Sequence, residues 1–199
     1  MRELSLHVLD LVENSVRAGA GVVAVTVEEQ PERDLLAISV EDDGPGLAVG
    51  PEQALDPFYT TKEGKRTGLG LSLFRQQVEL AGGGVELGRS ALGGLAVRAR
   101  LGFGHVDRYP LGDLAGTLAG VVAANPGIEV RVRLAHGGRD VLVSSADSDP
   151  ADGPAPLRTG SAPATDGAVA RPGGGAARAA ARRLRQRITE GMAALSMKG

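Results

Sequence analysis

The sequence predicts an α+β fold, a two-layer sandwich with helices packed on one face of a mixed, mostly antiparallel sheet. Three observations carry that expectation. Strand-like stretches come in pairs joined by short turn-forming segments, as hairpins do. The helical stretches are separated by these hairpins and do not alternate singly with strands, as a doubly wound parallel sheet would require. Every Phe and Tyr lies at or before Tyr109, so the large core-building side chains are concentrated in the first half of the chain.

Each element can be justified in turn. Leu4, Leu6, Val8, Leu9, Leu11, Val12 and Val16 are interleaved with Ser5, Asp10, Asn14 and Arg17 at helical spacing. Gly19 suits a left-handed cap that ends this helix. Residues 21–29 alternate as a strand, 30–34 form a turn, and 35–41 form the next strand. Asp42-Asp43-Gly44-Pro45-Gly46 opens a loop, and the stretch from Val49 to Thr67 is polar and without period. Residues 68–81 return to helical spacing through Leu71, Leu73, Phe74, Val78 and Leu80, and Gly82-Gly83-Gly84 ends them. Residues 85–88 and 95–101 form the last hairpin of this unit, turning at Leu92-Gly93-Gly94.

The division predicted is an N-terminal domain over 1–104, a small α-β-β unit over 105–146, a linker over 147–175 and a basic helical tail over 176–199. The small unit has a helix from Leu111 to Ala124 and a hairpin turning at His136-Gly137-Gly138. The linker is built mainly of Ala, Gly and Pro and has too little apolar surface to offset its ordering entropy, so disorder is expected. In the tail, Leu184, Ile188, Met192 and Leu195 share one face, with arginines around the rest. It is expected to be a solvated, partly frayed helix, the alternative being a docking helix for a partner.

Composition narrows the function. The 199 residues carry a formal net charge of -2, which gives no reason to expect nucleic acid or an anionic membrane as partner. The absence of Cys removes disulfides, thiolate metal sites and Cys nucleophiles. No apolar run approaches the roughly 20 residues needed to span a bilayer, and Asp10 and Glu13 interrupt the first apolar stretch. A soluble cytoplasmic protein without membrane insertion is expected.

Three clusters carry chemistry. Asp10, Asn14 and Arg17 share one face of the first helix. An amide oxygen suits Mg²⁺, a carboxylate can orient or deprotonate a water, and a guanidinium holds phosphate oxygens. An ordinary amphipathic helix would also look this way. The second cluster, Asp42-Asp43-Gly44-Pro45-Gly46, follows a strand directly. Its glycines allow close backbone approach to a ligand, and a buried Asp can accept from the exocyclic amine of adenine. A plain turn is the alternative. The third cluster joins Asp56-Pro57-Phe58-Tyr59-Thr60-Thr61-Lys62 to Gly68-Leu69-Gly70-Leu71 at the start of a helix, where free N–H groups favour anions.

In this order and spacing the three clusters resemble the N, G1, F and G2 boxes of the GHKL superfamily, the histidine kinase-like ATP-binding proteins with the Bergerat fold. The resemblance covers roughly residues 4–102. FYTTKEGKRTGLGLSL resembles nitrogen-regulation histidine kinases, and LDLVENSVRAGA resembles the MutL helix. It implies ATP and Mg²⁺ as cofactors, with Asn14 as the metal ligand and Asp42 as the adenine reader. Gly44 and Gly46 would then shape the adenine pocket, and Arg17 and Lys62 would contact phosphates. Thr60 and Thr61 would belong to the lid, and Gly68, Gly70 and Leu71 would meet the polyphosphate through backbone amides. Asp10 stands where the ATPase branch has a Glu base and the kinase branch often has Asn or His, so it is the candidate catalytic residue and leaves hydrolysis against phosphotransfer open. Asp43 replaces the usual Asn, a change expected to be tolerated.

The opening twenty residues and the small C-terminal unit are also similar to short stand-alone histidine-kinase-like ATPases that lack a phosphoacceptor domain and are found near iron-hydrogenase genes. The expectation is the ATP-binding component of a split kinase, with a protein partner as phosphoacceptor and a possible homodimer. The alternatives are a non-catalytic nucleotide-sensing regulator and a MutL-like hydrolysing ATPase. His7 is expected to be a polar helix-face residue, with a phosphoacceptor role as its alternative. His105 and His136 are expected to be solvated.

Overall fold

The computed structural model describes residues 3–54, 69–147 and 174–197. Its elements are α1 (Leu4–Arg17), β1 (Val22–Gln30), β2 (Leu35–Asp42), a short α2 (Pro51–Ala54), α3 (Leu69–Leu80), β3 (Gly84–Arg89), β4 (Leu95–Gly102), α4 (Leu114–Ala124), β5 (Glu129–His136), β6 (Arg139–Ser144) and α5 (Gly174–Leu195). The strands form one sheet in the order β3-β4-β2-β1-β5-β6. All neighbours run antiparallel except β1 and β5, which are parallel. This is the predicted α+β sandwich.

Period-two alternation explains the two layers. Val23, Val25 and Val27 of β1 are buried, while Val22, Ala24 and Thr26 between them are partly open. The register aligns these inward residues across the whole sheet. Val85, Ala99, Ile38, Val27, Leu134 and Val141 stand in one cross-strand row, and Leu87, Val97, Val40, Val25, Val132 and Val143 in the next. Helices α1, α3, α4 and α5 cover this face with Leu4, Val8, Leu11, Val12, Phe74, Val78, Leu114, Leu118, Leu184 and Ile188. The opposite face carries exposed ion pairs such as Arg98–Glu41 at 2.8 Å and Arg133–Asp140 at 3.1 Å. Pairs of that kind contribute little to stability but keep the face polar.

Residues 103–113 run from β4 to the start of α1 and then into α4. The first N–H groups of a helix have no partner within the helix. Here Leu4 N donates to Pro110 O at 2.9 Å and Ser5 N to Leu111 O at 2.8 Å, so this strap does what no side chain does at Glu3. Helix α4 begins at Leu114, with Asp113 capping Gly116 N at 2.7 Å. Leu111, expected at the helix start, is instead a buried strap residue.

Three expectations need correction. The C-terminal helix does not stand free in solvent. Ala177, Ala181, Leu184, Ile188 and Leu195 are buried, and the helix packs against α4, β5 and β6. Its apolar stripe was visible in the sequence. What was not visible was that α4, β5 and β6 present an apolar surface to receive it. His136 is not a solvated loop residue: it ends β5, and its Nδ1 lies 2.8 Å from Oε2 of the buried Glu29. His7 is not a polar face residue either. It is 3% exposed, packs near the rings of Phe74 and Tyr109, and neither ring nitrogen has a hydrogen-bond partner among the described residues. The expected linker over 147–175 lies almost entirely outside the described residues.

Two predictions follow from this packing. Leu184→Ala should cost about 2–5 kcal/mol, as truncation of a buried Leu does in a well-packed core, measured by urea unfolding. A loss below about 0.5 kcal/mol would mean that α5 is not part of the core. Burial pushes the His7 imidazole below its ordinary pKa, with the N-terminus acting in the same direction and Asp10 partly opposing both. The unfolded chain therefore takes up this proton first. Stability should be complete above the ordinary value of 6.5 and should fall as pH drops below it, by at most about 1.4 kcal/mol per pH unit. In His7→Leu the slope between pH 6.5 and 5 should flatten; an unchanged slope would assign it to other groups.

Candidate functional site

The cavity that gathers the predicted residues has a volume of about 540 Å³ and opens between α1, the loop after β2, the start of α3 and the β4 end of the sheet. Its size is that of a small-molecule site. Leu11, Val40, Leu47, Leu71, Leu95 and Val97 give it apolar walls, suited to the faces of a flat ring system. Asn14, Arg17, Asp42, Gly46, Gly70 and Leu71 all line it. The two residues on which the nucleotide expectation depends, Asp42 and Asn14, therefore share one cavity.

Asp42 is the last residue of β2 and is 4% exposed. A buried carboxylate needs donors, and three reach it. Oδ1 accepts from Gly44 N and Leu95 N, each at 3.0 Å, and Oδ2 accepts from Ser15 Oγ at 2.6 Å. A carboxylate offers about four lone-pair sites, and among the described residues one on Oδ2 has no partner. The backbone is tied as well, since Gly94 N donates to Asp42 O at 2.9 Å. At Gly94 a Cβ would overlap Asp42 Oδ1 and crowd Gly44 N, so only glycine lets the β3–β4 hairpin approach this carboxylate. Gly46 has φ +77°, a conformation that glycine adopts without strain.

Asp43 turns the other way. Its Oδ1 accepts from Gly21 N at 2.8 Å and Val22 N at 2.9 Å, pinning the start of β1 to the end of β2. Both partners are donors, so the position calls for an acceptor oxygen, and Asp supplies one as well as Asn.

On α1, Asn14 Oδ1 accepts from Arg17 Nη2 at 2.6 Å, and Arg17 Nη1 donates to Glu13 Oε2 at 3.1 Å. Asp10 and Gly44 are not among the described residues that line the cavity. A Cβ at Gly70 would lie 3.4 Å from the Asp10 carboxylate, so Asp10 abuts the first turn of α3, while Gly44 spends its N–H on Asp42. Thr60, Thr61, Lys62 and Gly68 lie outside the described residues.

Sequence reasoning missed Ser15, Leu95 and Gly94. Ser15 had a signal: with Val8, Leu11 and Val12 it completes the i, i+3, i+4, i+7 stripe that faces the sheet. A hydroxyl on an apolar stripe needs a buried partner. Leu95 and Gly94 had no comparable signal, because their roles rest on backbone groups brought to Asp42 from far along the chain, 53 positions away for Leu95.

A family model described as histidine kinase-, DNA gyrase B- and HSP90-like ATPase matches residues 2–105, just over half of the chain. Among curated proteins, the sensor protein kinase PilS of Pseudomonas aeruginosa is 40% identical over 83 residues, covering 39% of this chain and 16% of its own length. The sensor-type histidine kinase PrrB of Mycobacterium tuberculosis is 33% identical over 101 residues, covering 49% and 22%. The chain thus spans less than a quarter of the length of these relatives. Among solved structures, the ATP-binding domain of PrrB from Mycobacterium tuberculosis is similar at 31% identity and TM-score 0.39, over 49% of this chain and 64% of that one. No helix among the described residues is long and apolar enough to cross a membrane. The chain belongs to the histidine kinase-, DNA gyrase B- and HSP90-like family of ATPases, with its ATP-binding domain similar to those of sensor histidine kinases.

Proposed function

We propose that the cleft binds ATP with Mg²⁺ and that the chain is the ATP-binding, kinase component of a split histidine-kinase-like signalling system. The observation that carries the reading is the free lone pair of Asp42 Oδ2 in a cavity that also holds Asn14. That lone pair accepts from the exocyclic amine of adenine. Guanine presents a carbonyl at the same edge, and two acceptors would then face each other. The apolar walls sandwich the ring, and the phosphates extend past α1 toward the first turn of α3, where Gly70 and Leu71 offer backbone N–H groups.

The residues present fit a magnesium ion. Asn14 supplies a neutral, hard oxygen on the cavity wall, and the Asp10 carboxylate lies one helical turn earlier. When bound, Mg²⁺ would neutralise charge that builds on the phosphate oxygens. Arg17 holds phosphate oxygens at the rim. By the family resemblance, Thr60 and Thr61 would belong to the lid, Lys62 would contact phosphates and Gly68 would meet the polyphosphate through its backbone amide. In the transfer, an imidazole nitrogen of a partner protein attacks the γ-phosphorus, the bond from that phosphorus to the β,γ-bridging oxygen breaks, and ADP leaves. The partner, a possible homodimer and a cytoplasmic setting belong to the same proposal.

A second reading, a hydrolysing ATPase, is favoured by the position of Asp10 against Gly70, which is close enough to the phosphate end of the cleft to orient a water.

Two predictions test the pocket. By calorimetry with ATP and Mg²⁺, Asp42→Asn should weaken binding by about 100-fold, because an amide N–H₂ then faces both Ser15 and the adenine amine. Binding within threefold of the unaltered chain would remove Asp42 as the adenine reader. Ser15→Ala deletes one charge-assisted bond and should weaken ATP binding by about tenfold, with a smaller loss placing Ser15 outside the recognition network. Labelled-ATP incubation with co-purified partners then separates the readings: a labelled partner supports transfer, and steady phosphate release that is lost in Asp10→Asn supports hydrolysis.

A further inference from the structure

The cleft must accommodate the four negative charges of ATP, and among the described residues that line it Arg17 is the one cation. Its half-exposed guanidinium has two partners on its own helix. Nη2 donates to Asn14 Oδ1 at 2.6 Å and Nη1 to Glu13 Oε2 at 3.1 Å. Asn14 Oδ1 is also the oxygen that the proposed function gives to Mg²⁺, and the inference rests on that reading. A metal at about 2.1 Å from this oxygen would sit within roughly 5 Å of the guanidinium, and the two cations would repel each other. They therefore compete for Asn14.

We infer that Arg17 is a built-in stand-in for the divalent cation: in the metal-free cleft its guanidinium takes the Asn14 oxygen and binds the phosphates from there, and Mg²⁺ displaces it. The chemistry supports the exchange. Arginine has five N–H donors and stays charged at all working pH values. Two donors are used on Glu13 and Asn14, which leaves three for phosphate oxygens in the planar geometry that suits them. Glu13, one turn before on α1, holds the guanidinium at the rim, so a metal can take the Asn14 oxygen without moving the helix and leave Arg17 within reach of phosphate oxygens. Arg17 thus gives the cleft a way to neutralise a nucleotide that is independent of metal.

The test is ATP affinity by calorimetry, in Mg²⁺ and in EDTA, for the unaltered chain, Arg17→Gln and Arg17→Lys. Failure of the unaltered chain to bind ATP even with Mg²⁺ would overturn the reading of the cleft, and this inference with it. The expected result is that removing Mg²⁺ from the unaltered chain costs about tenfold in affinity or less, whereas in Arg17→Gln it costs more than about 100-fold. Arg17→Lys, which keeps the charge but not the fork, should fall between them. Equal losses for Arg17→Gln in both buffers would make Arg17 a plain phosphate contact and overturn the exchange, as would metal-free binding that is abolished already in the unaltered chain. Mn²⁺ titration of the ATP complex by electron paramagnetic resonance gives a second readout. Removing the competitor in Arg17→Gln should tighten Mn²⁺ binding, and unchanged or weaker binding counts against competition at Asn14. Arg17 is half exposed at the end of a helix, so circular dichroism should show the variants folded.

Discussion

A carboxylate buried at the end of a strand has to be surrounded by donors, and the construction of the cleft follows from that need at Asp42. Its partners come from three separate places: a hydroxyl on α1, an amide in the loop after β2, and an amide at the start of β4. Satisfying them fixes the distance from the first helix to the sheet and the approach of the β3–β4 hairpin to the loop. Because the donors use three of the four acceptor positions, the remaining one is aimed rather than free to rotate. Such a site is pre-organised, so little ordering cost falls on the ligand.

The rest of the chain supports the same helix from the other end. The strap over 103–113 bonds the opening N–H groups of α1, and α4 and α5 cover an extension of the sheet that β5 begins along β1. Without β5, β1 would be an open edge inviting pairing with another chain. The buried Glu29–His136 contact closes the far end of that seam. Helix α1 is thus held at its start by the strap, along its length by the core, and near its end by Ser15. A helix fixed in this way can present Asn14 and Arg17 at a constant position relative to Asp42.

The chemistry of the cleft divides between rigid and exchangeable parts. The end around Asp42, proposed to hold the purine, is made of buried groups with short, mutually dependent bonds. The end around Asn14 and Arg17, proposed to meet the phosphates, is a rim of partly and fully exposed side chains whose bonds can be traded at little cost. That division matches what each end must do, since recognition of a base calls for fixed geometry while handling of a triphosphate calls for rearrangement.

The sequence by itself determined the period of each element, the hairpin order and the loop positions of the glycines. It also determined the grouping of Asp10, Asn14 and Arg17 on one helix face, because periodicity and turn chemistry are local properties that read directly from neighbouring residues. Only the tertiary structure decided that Ser15, Gly94 and Leu95 converge on Asp42, that His7 and Glu29 are buried, and that the basic C-terminal helix belongs to the core. Each of these depends on which surface arrives opposite a given side chain. That arrival is set by sheet register and helix packing across tens of residues, and no local pattern encodes it.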